Sequence, residues 1–377
     1  MNMLLTFLIT VVAFVAVIGP LVFVHEMGHY LVGRLFGAQA DMFSIGMGRE
    51  LFGWTDKRGT RWKVSALPIG GYVKFRGDMG PASEPDPAWQ ALPPEEKAKT
   101  LQGRPVWQRF LIVAAGPLTN FLVAILVYAG FFAAYGVPQT PPVVAAVIAG
   151  SAADKGGLKP GDRITAVDGR HVSKFEDVAL MLLIRPHQHL KLDVERGGRA
   201  VPLNVFTDTV VQTTENGGRV EKGRLGIAAA AAILKPGNPA EVVEASVLAV
   251  KDQVRTIADV LGQILGGQRS PKELGGPLGI AGFARQQAEL GLLPFIEFMA
   301  LISINLGFIN LLPIPLLDGG HLFFYLIEGV RRRPLPARAQ EWAFRSGLAL
   351  LLGFMLFVTV NDLGSFGLWT KLAGLIG

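Results

Sequence analysis

His25-Glu26-Met27-Gly28-His29 is where residue type and spacing most sharply define a chemistry in this 377-residue chain. On a helix, residues four apart share one face, with their Cβ atoms roughly 6 Å apart. Both imidazoles can then reach one zinc ion. Glu26 is too near His25 to be a convenient third ligand, but it can take a proton from a water on the metal. The chain has no Cys. Thiolate zinc sites and disulfide scaffolds are excluded, and any metal must be held by His and carboxylate.

A zinc catalyst normally has three protein ligands and an open position. Asp318 is the strongest candidate for the third. It sits in Asn310-Leu311-Leu312-Pro313-Ile314-Pro315-Leu316-Leu317-Asp318-Gly319-Gly320, where prolines and glycines break the backbone and let it approach a ligand. His321, three residues on, competes with it, and composition does not decide between them. His171, His187 and His189 fall in a separate region and read as ordinary surface residues.

These residues need membrane elements to position them. Half the chain is apolar and 18% is charged, against about 25% in an average soluble domain. Four stretches reach the roughly 20 apolar residues needed to cross a bilayer. They are Met3 to Val24, roughly Phe110 to Tyr135, the run between Glu297 and Asp318, and about Ser346 to Thr370 around Asp362. The first has no basic start and no small-residue cleavage site, so it reads as an uncleaved helix. Ionisable residues at membrane depth are costly and need a reason. Three of them close the first stretch.

The net charge of +6 is a topology signal rather than a nucleic-acid one. The connection from the third stretch to the fourth carries Arg331, Arg332, Arg333, Arg338 and Arg345 against Glu328 and Glu341, and the connection from the first to the second is also basic. Lys and Arg accumulate on the cytoplasmic side. Both termini and the long middle region then face outward, and the zinc residues lie near the cytoplasmic face.

Between the spans, Pro141 to Thr207 reads as a small β-rich domain. Strands are expected at Val143–Ile148, Ile164–Val167 and Leu190–Val194, with an Asp168-Gly169 turn and a helix over Phe175–Leu183. Leu225-Gly226-Ile227 fits either a peptide-binding loop or a separate strand. Ala240 to Gly266 has the spacing of an amphipathic helix. Phe43 to Phe75 reads as one or more hairpins, either cytoplasmic or entering the membrane under cover of protein or water. The expected fold is a polytopic α-helical membrane protein with four transmembrane helices, a membrane-associated β-hairpin region and an inserted small β-rich domain. Its expected parts are 1–135 (first half of a membrane core), 136–235 (β-rich domain), 236–295 (amphipathic helical segment) and 296–377 (second half of the core).

Two resemblances follow. Ser151-Ala152-Ala153 through Gly157-Leu158, Gly161-Asp162, Ile164 and Val167-Asp168-Gly169 resembles a bacterial PDZ domain, which binds extended peptide tails by strand addition. Over nearly the whole chain, His25-Glu26-x-x-His29, Gly116-Pro117-Leu118-Thr119-Asn120-Phe121, Gly275-Gly276-Pro277-Leu278-Gly279-Ile280 and Asn310-x-x-Pro313-x-Pro315-x-Leu317-Asp318-Gly319 resemble the site-2 protease family of intramembrane zinc metalloproteases, bacterial RseP type. That resemblance implies zinc held by His25, His29 and Asp318, with Glu26 as general base. It implies that Asn310 contacts the substrate backbone and that Tyr72, Val73, Lys74 and Phe75 form a membrane-entering edge strand. It further implies a bacterial inner-membrane location with the PDZ domain in the periplasm, and membrane-spanning substrates such as a pre-cleaved anti-sigma factor or remnant signal peptides. One PDZ domain, where many such members carry two, leaves substrate gating open. Two other classes compete: an inactive membrane-anchored PDZ adaptor, which leaves the two imidazoles and the glutamate unexplained, and a zinc or proton transporter, which needs a polar path across the whole membrane.

Overall fold

A computed structural model describes residues 3–78, 89, 91–183, 185–213, 219–230, 233–333 and 335–365. The first part of the chain runs through α1 (Met3–Leu35), β1 (Ala40–Thr55), β2 (Arg61–Phe75), α2 (Pro94–Lys97) and α3 (Val106–Tyr135). Then come β3 (Val137–Gln139), β4 (Val144–Val147), α4 (Ala152–Lys155), β5 (Arg163–Val167), β6 (Arg170–His171), α5 (Phe175–Leu183), β7 (His189–Arg196) and β8 (Arg199–Phe206). The remainder is β9 (Asp208–Thr213), β10 (Arg219–Arg224), β11 (Ile227–Ala229), β12 (Ile233–Lys235), α6 (Pro239–Leu265), α7 (Pro277–Leu290), α8 (Leu292–Leu311), α9 (Asp318–Arg331) and α10 (Ala337–Ser365).

Among the described residues, four helices are long and apolar enough to cross a membrane: Leu4–Leu35, Val106–Tyr135, Leu292–Leu311 and Arg338–Leu363. They coincide with the four expected stretches, with shifted ends. The first helix continues eleven residues past Val24, which carries the His-Glu-x-x-His motif inside it. The third starts before Glu297 and stops at Leu311, because Pro313 and Pro315 cannot continue it. Residues 366–370 of the expected fourth stretch lie outside the described residues. The chain divides into two units, Met1–Tyr128 with Ser246–Asp259 and Leu274–Gly377, and Ala129–Ala245 with Val260–Glu273.

In the first unit, α1 packs through Ala13, Val17 and Leu21 against Ala284 of α7 and Phe298, Met299 and Ile302 of α8. Ala124 of α3 meets Ala300 and Ile304 of α8 and Val250 of α6. Small residues bring α1 and α3 together: a Cβ on Gly28 would collide with the Ala115 carbonyl and the Thr119 hydroxyl. Close approach through small side chains is the usual basis of helix association in a bilayer.

The two long strands pair twice. Phe43 lies opposite Val73 on one side and Trp62 on the other, while Trp54 lies opposite Trp62 across the Asp56–Thr60 turn. The ladder order is therefore 50–55, 61–65, 40–47, 71–75, and the last run forms an edge. Phe43 and Trp62 stack at 4.5 Å. Phe52, Trp54 and Leu67 stay exposed, an apolar face suited to lipid or protein cover.

In the second unit, four strands form a sheet in the order β6-β5-β7-β8. Leu190, Leu192 and Val194 alternate inward along β7 and pack on Ile164, Val167 and Val178. Asp168 and Gly169 both take left-handed φ angles (49° and 73°), which suits the tight β5–β6 hairpin. Leu225 is buried in this core, and Ile227–Ala229 is a strand paired with β4.

Candidate metal centre

Each site element is set by its local sequence. His25, Glu26 and His29 project from α1, and all three are buried. α3 crosses α1 at Gly116-Pro117. A Cβ on Gly116 would run into the His29 ring, so only glycine leaves room for the imidazole. Asp318 opens α9 after the 312–317 turn. That turn folds so tightly onto the first turn of α9 that a Cβ on Gly319 would strike the Leu311 and Leu312 carbonyls, and one on Gly320 would lie 2.5 Å from the Ile314 carbonyl oxygen. Leu316 takes a left-handed φ of 80° to complete it. The Asp318-Gly319-Gly320 sequence is thus a packing requirement that fixes where the carboxylate points. A carboxylate in the first turn also suits the helix dipole.

Three side chains converge. His25 Nε2 lies 3.1 Å and His29 Nε2 3.5 Å from Asp318 Oδ2. The two Nε2 atoms are 3.3 Å apart. Asp318 Oδ2 is buried and accepts no hydrogen bond among the described residues. A buried carboxylate oxygen aimed between two imidazole nitrogens, with no donor, fits a cation. Two imidazoles and one carboxylate match the donor set of a catalytic zinc. This His25–His29–Asp318 cluster, with both imidazoles buried and the carboxylate partly so, is consistent with a zinc-binding site.

The far nitrogens are held as well. His29 Nδ1 lies 2.9 Å from the Ile112 carbonyl of α3 and donates to it, which leaves Nε2 with its lone pair free. His25 Nδ1 lies 3.1 Å from the side-chain amide of Asn120, which is fully buried. Ser303 of α8 in turn donates to the Asn120 main-chain carbonyl at 2.8 Å.

Glu26 lies close enough to His29, His25 and Asp318 for its charge to couple with theirs, and the Val73 main-chain N–H faces its carboxylate. Strand β2 runs alongside: a Cβ on Gly71 would come within 2.7 Å of Val22 and 3.1 Å of Glu26, and Phe75 packs on Gly33. Tyr72 and Lys74 pair with Ser44 and Met42 on the opposite side of the strand. Asn310 is half-buried in the last turn of α8, before the break that delivers Asp318. Its side chain makes no hydrogen bond among the described residues. His321 is not part of the cluster, and its ring packs on Phe344 at 5.4 Å.

Sequence reasoning left Asn120, Gly116 and the Ile112 carbonyl without a role. The available signal was Asn120 itself, a polar residue inside an apolar span that needs a partner.

The family model described as Peptidase family M50 matches residues 13–354. A protein of Agrobacterium fabrum named as a zinc metalloprotease is 45% identical over 363 residues, spanning 94% of this chain and 96% of that one. A protein of Rhizobium meliloti named in the same way is 42% identical, with the same coverage. The metalloprotease MmpA of Caulobacter vibrioides is 39% identical and covers 98% of this chain and 99% of its own. Among solved structures, the PDZ domain of an SdrC-like protein from Listeria monocytogenes aligns with 23% of this chain and 84% of its own, at 17% identity and a TM-score of 0.19.

Proposed function

The chain belongs to peptidase family M50, and from that premise we propose that it is an intramembrane zinc endopeptidase that cuts the spanning segments of single-span membrane proteins. The observation that carries this reading is the orphaned Asp318 Oδ2 between His25 Nε2 and His29 Nε2, within a chain that has four membrane-length helices.

His25, His29 and Asp318 would hold the ion. Bound zinc supplies Lewis acidity, which lowers the pKa of a coordinated water and polarises the scissile carbonyl. Glu26 accepts the proton of the attacking water as its oxygen bonds to the carbonyl carbon. Glu26 then gives that proton to the leaving amine as the C–N bond breaks. The burial of Glu26 keeps bulk water from competing for the proton.

A spanning helix hides its carbonyls in its own hydrogen bonds, so the substrate must be unwound and held extended. The edge run Tyr72, Val73, Lys74 and Phe75 suits that task by strand addition. On its outer side the Val73 N–H faces Glu26, and the Phe75 N–H donates to Asp78 Oδ2, so an added strand would pair ahead of Phe75. Asn310, with its amide uncommitted, would pin the unwound backbone further.

The second unit is read as a PDZ domain that takes peptide tails or screens ectodomains. Family membership supports a bacterial inner membrane, and the charge bias then favours that domain in the periplasm and the zinc site near the cytoplasm. Residues 1–135 and 296–377 then make the protease core, 136–235 the PDZ domain and 236–295 an amphipathic connector. A pre-cleaved anti-sigma factor or a remnant signal peptide fits as substrate.

The test compares wild type with Glu26→Gln. The variant should keep its zinc and lose cleavage of a single-span reporter. Continued cleavage by a zinc-loaded variant would remove Glu26 from the mechanism.

A further inference from the structure

Away from the metal centre, a cleft of about 780 Å³ opens between the first turns of α3 and the last turns of α9. Ligand pockets are typically about 300–1,000 Å³. Its walls are Trp107, Phe110 and Leu111 on one side and Leu326 and Val330 on the other. Trp107 is 56% and Val330 86% exposed, a poor arrangement for side chains facing water. The cleft sits where the Val106–Tyr135 span begins, and tryptophan favours that level of a bilayer.

The charge of the cleft is one-sided. Glu328 lines it, but Arg109 neutralises Glu328 through two hydrogen bonds of 2.6 and 3.2 Å, both groups being mostly buried. The same guanidinium lies 4.9 Å from the ring centroid of Tyr325, another lining residue. Arg332 and Arg333, at the cleft's edge, have no ion-pair partner among the described residues. Arg332 closes α9 with a left-handed φ of 55°, a position where glycine or asparagine is usual. Apolar walls at the membrane boundary and two uncompensated arginines call for an amphiphile with an acyl chain and a negative head.

We propose that this cleft binds an anionic phospholipid, with an acyl chain between α3 and α9 and the phosphate on Arg332 and Arg333. A free phosphate would leave the apolar walls uncovered. A neutral lipid would leave both arginines uncompensated. The two helices that clasp the lipid also carry Ile112 and Asp318, which touch the metal site.

The test uses the full chain in a neutral detergent, with phosphatidylglycerol and phosphatidylcholine of matched chains as probes and retained adducts measured by native mass spectrometry. Phosphatidylglycerol should bind roughly thirtyfold more tightly, from about 1 kcal/mol for each arginine. Arg332→Gln with Arg333→Gln should reduce it to the phosphatidylcholine level. Gly329 also lines the cleft, and a Cβ there meets nothing within 4 Å. Gly329→Leu should therefore project into the cleft, favour the helix, and reduce retention of both lipids. Three outcomes would overturn the proposal: equal retention of the two lipids by wild type, retention untouched by both variants, or displacement of phosphatidylglycerol by glycerol phosphate. A dimer lost in Gly329→Leu, with lipid retention unchanged, would assign the cleft to a second copy of the chain and overturn it as well.

Discussion

The side-chain amide of Asn120 lies 3.1 Å from His25 Nδ1, on the far side of the imidazole from Asp318. For His25 Nε2 to offer a lone pair to zinc, Nδ1 must carry the proton and donate it. Asn120 Oδ1 is buried with no partner when its Nδ2 faces the ring. A half-turn of the amide places Oδ1 on Nδ1–H and satisfies both groups. Asn120 thus fixes the tautomer of one ligand as the Ile112 carbonyl fixes that of the other.

Asn120→Ala should therefore weaken zinc binding about 10–100-fold, the usual cost of losing such a partner. Asn120→Asp, which keeps an acceptor, should retain most of the affinity. Competition with a chelator at equilibrium measures both. Equal affinity in Asn120→Ala and wild type would mean that helix packing alone orients the ring.

Asp318→Asn should weaken zinc binding by more than the roughly 10–100-fold that an outer partner costs, because it removes an anionic ligand. His321→Ala should leave the metal content unchanged, since His321 packs on Phe344 and Tyr325. Metal analysis of the two purified variants decides it. The reverse pattern would move the third ligand to His321.

The contrast between these residues shows what a sequence can carry. His25 and His29 are legible because helical spacing alone places them on one face. The four spans are legible because the bilayer imposes a length. The Phe175–Leu183 helix follows from local pattern. Asn120 pairs with a ring 95 positions away, through a crossing of α1 and α3 that depends on Gly28 and Gly116. No local rule encodes such a crossing. Leu225-Gly226-Ile227 fits a loop or a strand for the same reason: the strand that starts at Ile227 pairs with the remote β4, and its three residues have too little pattern of their own.

The 71–75 edge gives a prediction that separates substrate binding from metal binding. Val73 turns its N–H toward Glu26 and its side chain into the Phe43 cluster. Val73→Pro removes that donor from the free edge. Zinc content should stay within about twofold while cleavage of a spanning reporter falls at least about tenfold, the value of one lost hydrogen bond of about 1.4 kcal/mol. Val73→Ile keeps the N–H and should cleave normally. Full activity in Val73→Pro would exclude strand addition at this edge.

The last prediction concerns the second unit. Arg196 donates to both oxygens of Asp162 at 2.7 Å, and the Lys159 main-chain N–H donates at 2.8 Å. Asp162 is fully buried. Burial opposes ionisation, but the Arg196 and Lys159 hydrogen bonds outweigh it and hold the carboxyl below its usual range. In the unfolded chain an aspartate titrates near its ordinary value of about 3.9. The unfolded state therefore takes up a proton at higher pH than the folded state does. The stabilisation is fully present above about pH 5 and is lost as pH falls through the folded value. Asp162→Asn should lower hydrogen-exchange protection across β5 and β7 at pH 7, by about 1–3 kcal/mol. Wild type should approach the variant below about pH 4. A gap of the same size at pH 3 and pH 7 would show that the variant disturbs packing, and that the charge on Asp162 contributes nothing.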